Sequence, residues 1–219
     1  MPEMPTVFIT GATGFMGRNL TAQLLRRDYV IRALVRTGSE HKLPGGCKPI
    51  HGDVLAKNSF VSQIAPAETF IQLVGVTHPN PAKKDEFRAV DLVSARAAIE
   101  AAREAGIKHF VYVSVAQPAP VMKFYIAVRA EAEKMIRESG MNATILRPWY
   151  VLGPGRRWPL ILQPLYWLME RIPSTRESAQ RLGLVTIEQM VGALVQSVET
   201  PAQGVRILGV PEIRKLGLS

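Results

Sequence analysis

The chain has 219 residues, 47% of them hydrophobic and 21% charged. That is enough for one good core, too short for two domains of average size, and free of the polar tracts that mark extended disorder. Lys and Arg total 27 against 18 Asp and Glu, a net charge of +9, which favours anionic partners such as phosphorylated cofactors; the basic residues are nevertheless scattered and no nucleic-acid motif accompanies them, so most belong to a solvated surface and no specific nucleic-acid partner is expected.

The first element is an apolar run, Val7 to Ile9, ending in glycines spaced Gly11-x-x-Gly14-x-x-Gly17, after which apolar residues recur at helical spacing at Leu20, Leu24 and Leu25. This reads as a strand, a tight turn and a helix start. Such a turn lets backbone approach a phosphate, and the positive end of the helix dipole then faces the anion. A dinucleotide pyrophosphate is the natural occupant, held by Gly11, Thr13, Gly14, Phe15, Met16 and Gly17. The spacing is a variant of the usual G-x-G-x-x-G, and an ordinary strand-helix turn is the alternative.

The stretch Thr10-Gly-Ala-Thr-Gly-Phe-Met-Gly17 resembles the nucleotide-binding turn of the extended and atypical short-chain dehydrogenase/reductases, among them the NmrA-like and epimerase-like proteins. The resemblance implies a Rossmann-type α/β fold with a doubly wound parallel sheet and an NAD(P) cofactor.

After a helix over roughly Phe15 to Arg27, the run Val30 to Val35 predicts a second strand that ends in Arg36-Thr37-Gly38-Ser39. In a dinucleotide fold this strand end faces the adenosine ribose, where an acidic residue would bind the hydroxyls of NAD. The guanidinium of Arg36 suits a 2′-phosphate instead, so NADP is expected over NAD, with Arg32, Ser39 or Lys42 as helpers. Arg36 also reads as an exposed strand-end charge. Cys47 to His51 is a short third strand. The resemblance places the following Asp53 and Val54 against adenine, while Asp53 equally suits the N-cap of a short helix over Asn58 to Ile64.

Thr69 to Gly75 reads as a buried fourth strand. The resemblance puts the cofactor beside its end at Val74 and Gly75, where the small glycine would admit a ribose. A proline-marked loop over 76–82 leads to one long helix, Asp85 to Ala105, stopped by Gly106. Ile107 to Ser114 is the clearest strand. The repeated alternation of strand and helix argues for a parallel sheet.

Ser114 ends that strand, and Tyr125-Ile-Ala-Val-Arg129 opens a helix running to about Ser139. The resembled families carry a serine or threonine and a Tyr-x-x-x-Lys here, the tyrosine as acid/base and the lysine lowering its pKa and holding the nicotinamide ribose. Residues i and i+4 share a helix face, which explains the spacing. In this chain Arg129 stands where the lysine would be. It keeps the charge but cannot relay a proton. Tyr125, Arg129 and Ser114 are the candidate catalytic set. The alternatives are a packed aromatic for Tyr125 and a strand-end serine bonded to backbone for Ser114.

Met141 to Leu146 is a sixth strand, followed by Arg147-Pro148-Trp-Tyr-Val-Leu-Gly153-Pro154. This resembles the Leu-Arg-Pro-x-x-x-x-Gly-Pro segment of the same families, in which Pro148 would border the nicotinamide. A single NAD(P)-binding domain over 1–219 is expected, with 155–185 as a substrate or lid insertion. The apolar, aromatic stretch Trp158 to Met169 suggests a pocket for an apolar or aromatic substrate, a dimer or protein contact, a membrane-surface helix, or simply core. A last helix over Ile187 to Val198 with Thr186 as cap, a strand Gly204 to Leu208 and a basic tail complete the chain.

The single cysteine, Cys47, excludes an internal disulfide and favours a reducing, cytoplasmic compartment. No basic segment followed by an apolar one precedes the first strand, and prolines break the longest apolar stretches, so neither a signal peptide nor a spanning helix is expected. The four histidines lack ligand spacing and no metal site is expected. No Gly-x-Ser-x-Gly elbow supports a hydrolase. The leading expectation is an NADP(H)-dependent oxidoreductase acting on a small carbonyl, quinone or flavin-like substrate. The rival is a non-catalytic NADP(H)-binding sensor or assembly subunit, and a nucleotide-sugar isomerase or dehydratase is disfavoured by the short substrate region.

Overall fold

The computed structural model describes residues 4–76, 80–154 and 180–217. Seven parallel strands form the central sheet: β1 (Thr6–Thr10), β2 (Val30–Val35), β3 (Lys48–His51), β4 (Thr69–Gln72), β5 (His109–Val113), β6 (Ala143–Leu146) and β9 (Val205–Leu208), in the order β3-β2-β1-β4-β5-β6-β9. Two further short strands, β7 (Tyr150–Leu152) and β8 (Leu184–Thr186), pair in parallel with each other. From β1 the chain winds outward to β2 and β3, then returns to lay β4 on the other side of β1. Ligands of doubly wound sheets bind at such a switch point, outside the carboxyl ends of the strands.

Strand alternation divides the core into two layers. Val7 and Ile9 of β1, Ile31 of β2 and Val111 and Val113 of β5 face helices α1 (Phe15–Leu25), α5 (Ile187–Glu199) and α6 (Val210–Leu216). Phe8, Phe70, Phe110, Tyr112 and Ile145 face α3 (Val93–Glu104) and α4 (Lys123–Glu138). On that second face Phe8, Phe70 and Phe110 form a ladder across three strands, with ring centroids 5.1 and 5.4 Å apart. Both layers are covered by helices, which is why β1, β4, β5 and β6 are buried at every position and read as continuous apolar runs.

Several boundaries differ from the sequence reading, each for a local reason. The long helix begins with one α-turn (α2, Lys84–Glu86), passes through a π-helical stretch at Phe87–Leu92 and becomes regular in α3. The short helix expected after Asp53 is instead two 3-10 turns, Lys57–Ser59 and Val61–Gln63. The basic tail folds as α6, started by Pro211 and by Glu212 accepting from the Gly209 amide at 2.9 Å. Thr186 does cap α5, in a reciprocal pair with Gln189 at 3.2 and 3.0 Å. Trp158 to Met169 lies outside the described residues.

Candidate cofactor and catalytic site

The glycine turn sits between β1 and α1 at the switch point. Gly11 has φ +77°, a left-handed conformation that favours glycine, and its missing side chain lets the backbone of Leu73 and Val74 pass at van der Waals contact. Gly17 is required more strictly: a Cβ there would overlap the Gly11 carbonyl and Ala12. Gly14 is the N-cap in extended conformation, and its amide donates to the Gly11 carbonyl at 3.0 Å. The first turn of α1 has no side-chain cap and no acidic residue. The positive helix end therefore meets no negative group of its own, which is what a phosphate site needs. Thr13, Phe15 and Met16 line this turn, each partly exposed.

Toward the adenosine side, Arg36 is exposed just after β2, on a turn closed by the Ser39 amide donating to the Arg36 carbonyl at 3.0 Å. Of its expected helpers, Arg32 has Nε and Nη2 donating to the Gln63 carbonyl, at 2.9 and 2.8 Å. Asp53 is exposed and caps neither 3-10 turn. Its Oδ1 accepts from the Leu55 amide at 2.9 Å, while Ser59 Oγ bridges its backbone. Val54 beside it is partly exposed.

β4 ends at Gln72, earlier than expected, so Val74 and Gly75 lie in the segment that follows it. At Gly75 a Cβ would overlap Nη2 of Arg129, and Asp91 Oδ1 would lie 3.2 Å away. The space that the glycine opens is thus filled by the chain's own guanidinium.

Arg129 is pinned on three sides. Nη2 pairs with Asp91 Oδ1 at 2.5 Å, and Nη1 donates to the Tyr112 hydroxyl at 3.1 Å and to the Val113 carbonyl at 2.9 Å. The paired side chains are 6% and 0% exposed. Burial pushes the Asp91 carboxyl above its ordinary value, partly offset by Arg129 and by the Val76 amide donating to its Oδ2 at 3.0 Å. For Arg129, burial works against the charge, but Tyr112, Tyr125 and Asp91 outweigh it and hold the guanidinium above its ordinary pKa. Tyr125 is half-buried; its ring packs on Phe87, centroids 4.9 Å apart, and the Arg129 guanidinium carbon lies 5.3 Å from its centroid.

Ser114 turns elsewhere. Its hydroxyl donates to Glu133 Oε1 at 2.6 Å, and no hydrogen bond joins it to Tyr125 among the described residues. Glu133, fully buried, also accepts from Gln117 at 2.7 Å, from Arg137 at 2.9 Å and from both ends of the Arg147 fork at 2.9 and 2.5 Å. Although burial alone would raise it, these donors hold its carboxyl below the usual range. The arginine of the Arg-Pro segment thus ties the end of β6 to α4. Pro148 is buried, and its carbonyl accepts from the Ala116 amide at 2.9 Å. Farther on, a Cβ at Gly153 would overlap the ring of Phe15, so this segment packs directly on the first residue of α1.

Asp91, Glu133, Tyr112, Gln72 and Ser94 were not singled out from sequence. Two had a visible signal. Glu133 continues the spacing Tyr125, Arg129, Glu133 along one helix face, and Asp91 is the acidic residue four positions after Phe87 on an inward, alanine-rich face. Gln72 and Ser94 belong to a buried polar chain in which Thr10 Oγ1 donates to Gln72 Oε1, Gln72 Nε2 bonds Ser94 Oγ at 3.1 Å, and Ser94 donates to the Asp91 carbonyl at 3.2 Å. That chain runs from the end of β1 to the residue that pairs with Arg129.

A parallel sheet with an uncapped glycine-turn helix at its switch point defines a dinucleotide-binding protein of Rossmann type. The chain belongs to the NAD(P)H-binding family, whose model matches residues 11–157. It is 30% identical over 213 residues to a ceramide reductase of Caulobacter vibrioides, covering 96% of this chain and 66% of that one. It is 28% identical over 150 residues to the photosystem II assembly factor Ycf39 of Cyanophora paradoxa, covering 65% and 44%. A solved short-chain dehydrogenase/reductase superfamily protein from Agrobacterium tumefaciens with bound NAD superposes with a TM-score of 0.68, at 17% identity, over 93% of this chain and 77% of that one. The chain spans about half to two thirds of the length of these two curated relatives. No described helix is long and apolar enough to cross a membrane.

Proposed function

We propose that the protein is an NADP(H)-dependent reductase of a small carbonyl, quinone or flavin-like compound. The observation that carries this reading is the face of α4 on which Tyr125 stands half-exposed with a fixed positive charge against its ring. Gly11, Gly14 and Gly17 of the turn, with Thr13, Phe15 and Met16, would hold the pyrophosphate, Arg36 the 2′-phosphate, and Asp53 and Val54 the adenine. Val74, Gly75 and Pro148 would border the nicotinamide half. The bound cofactor supplies a hydride. Tyr125 donates its phenolic proton to the substrate oxygen as the carbonyl carbon becomes an alcohol carbon, and the Arg129 charge stabilises the tyrosinate left behind. Arg129 cannot return a proton, so solvent must reprotonate Tyr125. The similarity to a ceramide reductase supports a carbonyl substrate with apolar parts.

The test is calorimetric titration with NADPH, NADP+, NADH and NAD+, followed by NADPH oxidation against a panel of ketones, aldehydes and quinones. Substrate-dependent oxidation that Tyr125→Phe lowers by at least 100-fold supports the reductase; oxidation untouched by that change removes Tyr125 from the mechanism. A second reading has its own observation. Ser114 is committed to Glu133 and Arg129 to Asp91, so two of the three expected catalytic groups are bound to structural partners. This favours an NADP(H)-binding regulatory or assembly protein, a role supported by the similarity to Ycf39. Tight NADPH binding with no turnover across the panel would select it.

A further inference from the structure

We propose that Asp91 is a positioning residue: acting through Arg129, it holds a positive charge against the ring of Tyr125, with Gly75 as the opening in which the guanidinium lies. The proposal rests on the reductase reading for the role of Tyr125.

A guanidinium at the end of a helical side chain has many orientations, and its five donors would suit a ribose as well as a carboxylate. Here the orientation is fixed from several elements at once. Asp91 takes Nη2, and its own second oxygen is held by the Val76 amide at 3.0 Å, so the carboxylate cannot swing to follow the arginine. The Tyr112 hydroxyl and the Val113 carbonyl take Nη1. The result is a planar cation whose central carbon is 5.3 Å from the Tyr125 centroid and 5.6 Å from that of Tyr112.

Asp91 reaches this place because it lies on the π-helical stretch Phe87–Leu92. The same stretch brings Phe87 onto Tyr125, so one wider turn supplies a ring contact to the tyrosine and the carboxylate that holds Arg129 against it. Gly75 completes the arrangement, since any side chain there would displace Nη2. A lysine at 129 would not need this set: one ammonium point has neither the fork nor the width that Gly75, Tyr112 and Val113 accommodate.

The experiment has three arms on the full chain. In the first, Asp91→Asn is expected to lower kcat for NADPH-dependent reduction at least tenfold while KM for NADPH and its calorimetric affinity change less than threefold. A tenfold loss of NADPH affinity with kcat retained would overturn the proposal by placing Asp91 with the cofactor. In the second, the near-ultraviolet circular dichroism contributed by Tyr125, read as the difference from Tyr125→Leu, is expected to fall by at least half in the Asp91→Asn background; an unchanged difference overturns the claim that Asp91 orders the tyrosine. In the third, Gly75→Ala is expected to lower the melting temperature sharply when residue 129 is arginine and by less than a third as much in Arg129→Lys. Equal losses would show that Gly75 is not the opening for the guanidinium. The last two arms need no turnover. A protein that binds NADPH without reducing anything therefore defeats the reductase reading and still leaves Asp91, Gly75 and Arg129 to be judged.

Discussion

The two halves of the site are built on opposite plans. At the glycine turn the main chain clears a space: Gly11 and Gly17 remove side chains that would collide, and the α1 end carries no cap or acid of its own. At the tyrosine end the chain fills its own space: Asp91 and Tyr112 hold Arg129 in one buried cluster, Glu133 gathers Ser114 and Arg147 in another, and Tyr125 stays partly exposed beside them. The first half is thus specified for a ligand and the second for rigidity. A family pattern that names both halves by short motifs hides this difference, because the motif residues on the filled side, Ser114 and Arg129, are engaged by partners from other elements.

The largest expected effect strikes the filled half. Glu133→Ala leaves Arg147 and Ser114 without their shared acceptor inside the protein, and breaking a buried ion pair by removing one partner costs about 3–5 kcal/mol. Denaturant unfolding should show that loss. A loss below about 1 kcal/mol would mean that the network is solvated and the two halves are alike.

Acid should loosen the molecule at the other end of β5. His109, buried at the start of β5 with Nε2 3.0 Å from Thr144 Oγ1, is pulled down to about 4 from 6.5 by burial and then by Arg206. The unfolded chain therefore binds the proton more readily than the native one. The stabilisation is fully present above pH 6.5 and is lost as pH falls toward 4, by about 2–3 kcal/mol after allowance for screening. The Glu133 carboxyl, also held low, adds to the loss only once pH drops below its ordinary 4.5. His109→Gln should flatten the stability curve between pH 6.5 and 4; a curve identical to that of the parent would remove His109 from the account.

The open half should behave in the reverse way. Arg36 is exposed, so Arg36→Ala is expected to weaken NADPH by at least tenfold, about 1.4 kcal/mol, and to leave NADH and the melting temperature unchanged. Equal weakening of both cofactors would end the assignment of NADP.

How far the sequence revealed these plans follows from the range of the interactions. The strand-turn-helix at 6–25 was legible because its determinants are neighbours: an apolar run, three glycines and a helical period. β2 was legible to the residue for the same reason. The π-helical stretch was not, because one wider turn leaves the apolar spacing of a long helix almost unchanged. The bond from Arg32 to the Gln63 carbonyl was not legible, because its acceptor is 31 residues away. The partners of Arg129 and Ser114 were not legible, because Asp91 stands 38 residues before the one and Glu133 19 after the other. A local motif announces a vacancy well. It says little about a side chain whose partner arrives from another part of the chain.

The smallest effect tests whether the open half depends on its support. α5 packs against α1 behind the glycine turn, and Ile187 and Phe15 both border Gly153. The start of α5 is fixed by the reciprocal Thr186 and Gln189 cap. Thr186→Ala removes one such cap and should cost about 1 kcal/mol of stability. If the glycine turn is set by its own backbone, as the close fit of Gly17 against the Gly11 carbonyl and Ala12 implies, that loss will appear in the melting temperature and not in the NADPH affinity, which should stay within twofold. A parallel fall in affinity would show that the turn borrows its shape from α5, and the site would then be one cooperative body and not an open half joined to a filled one.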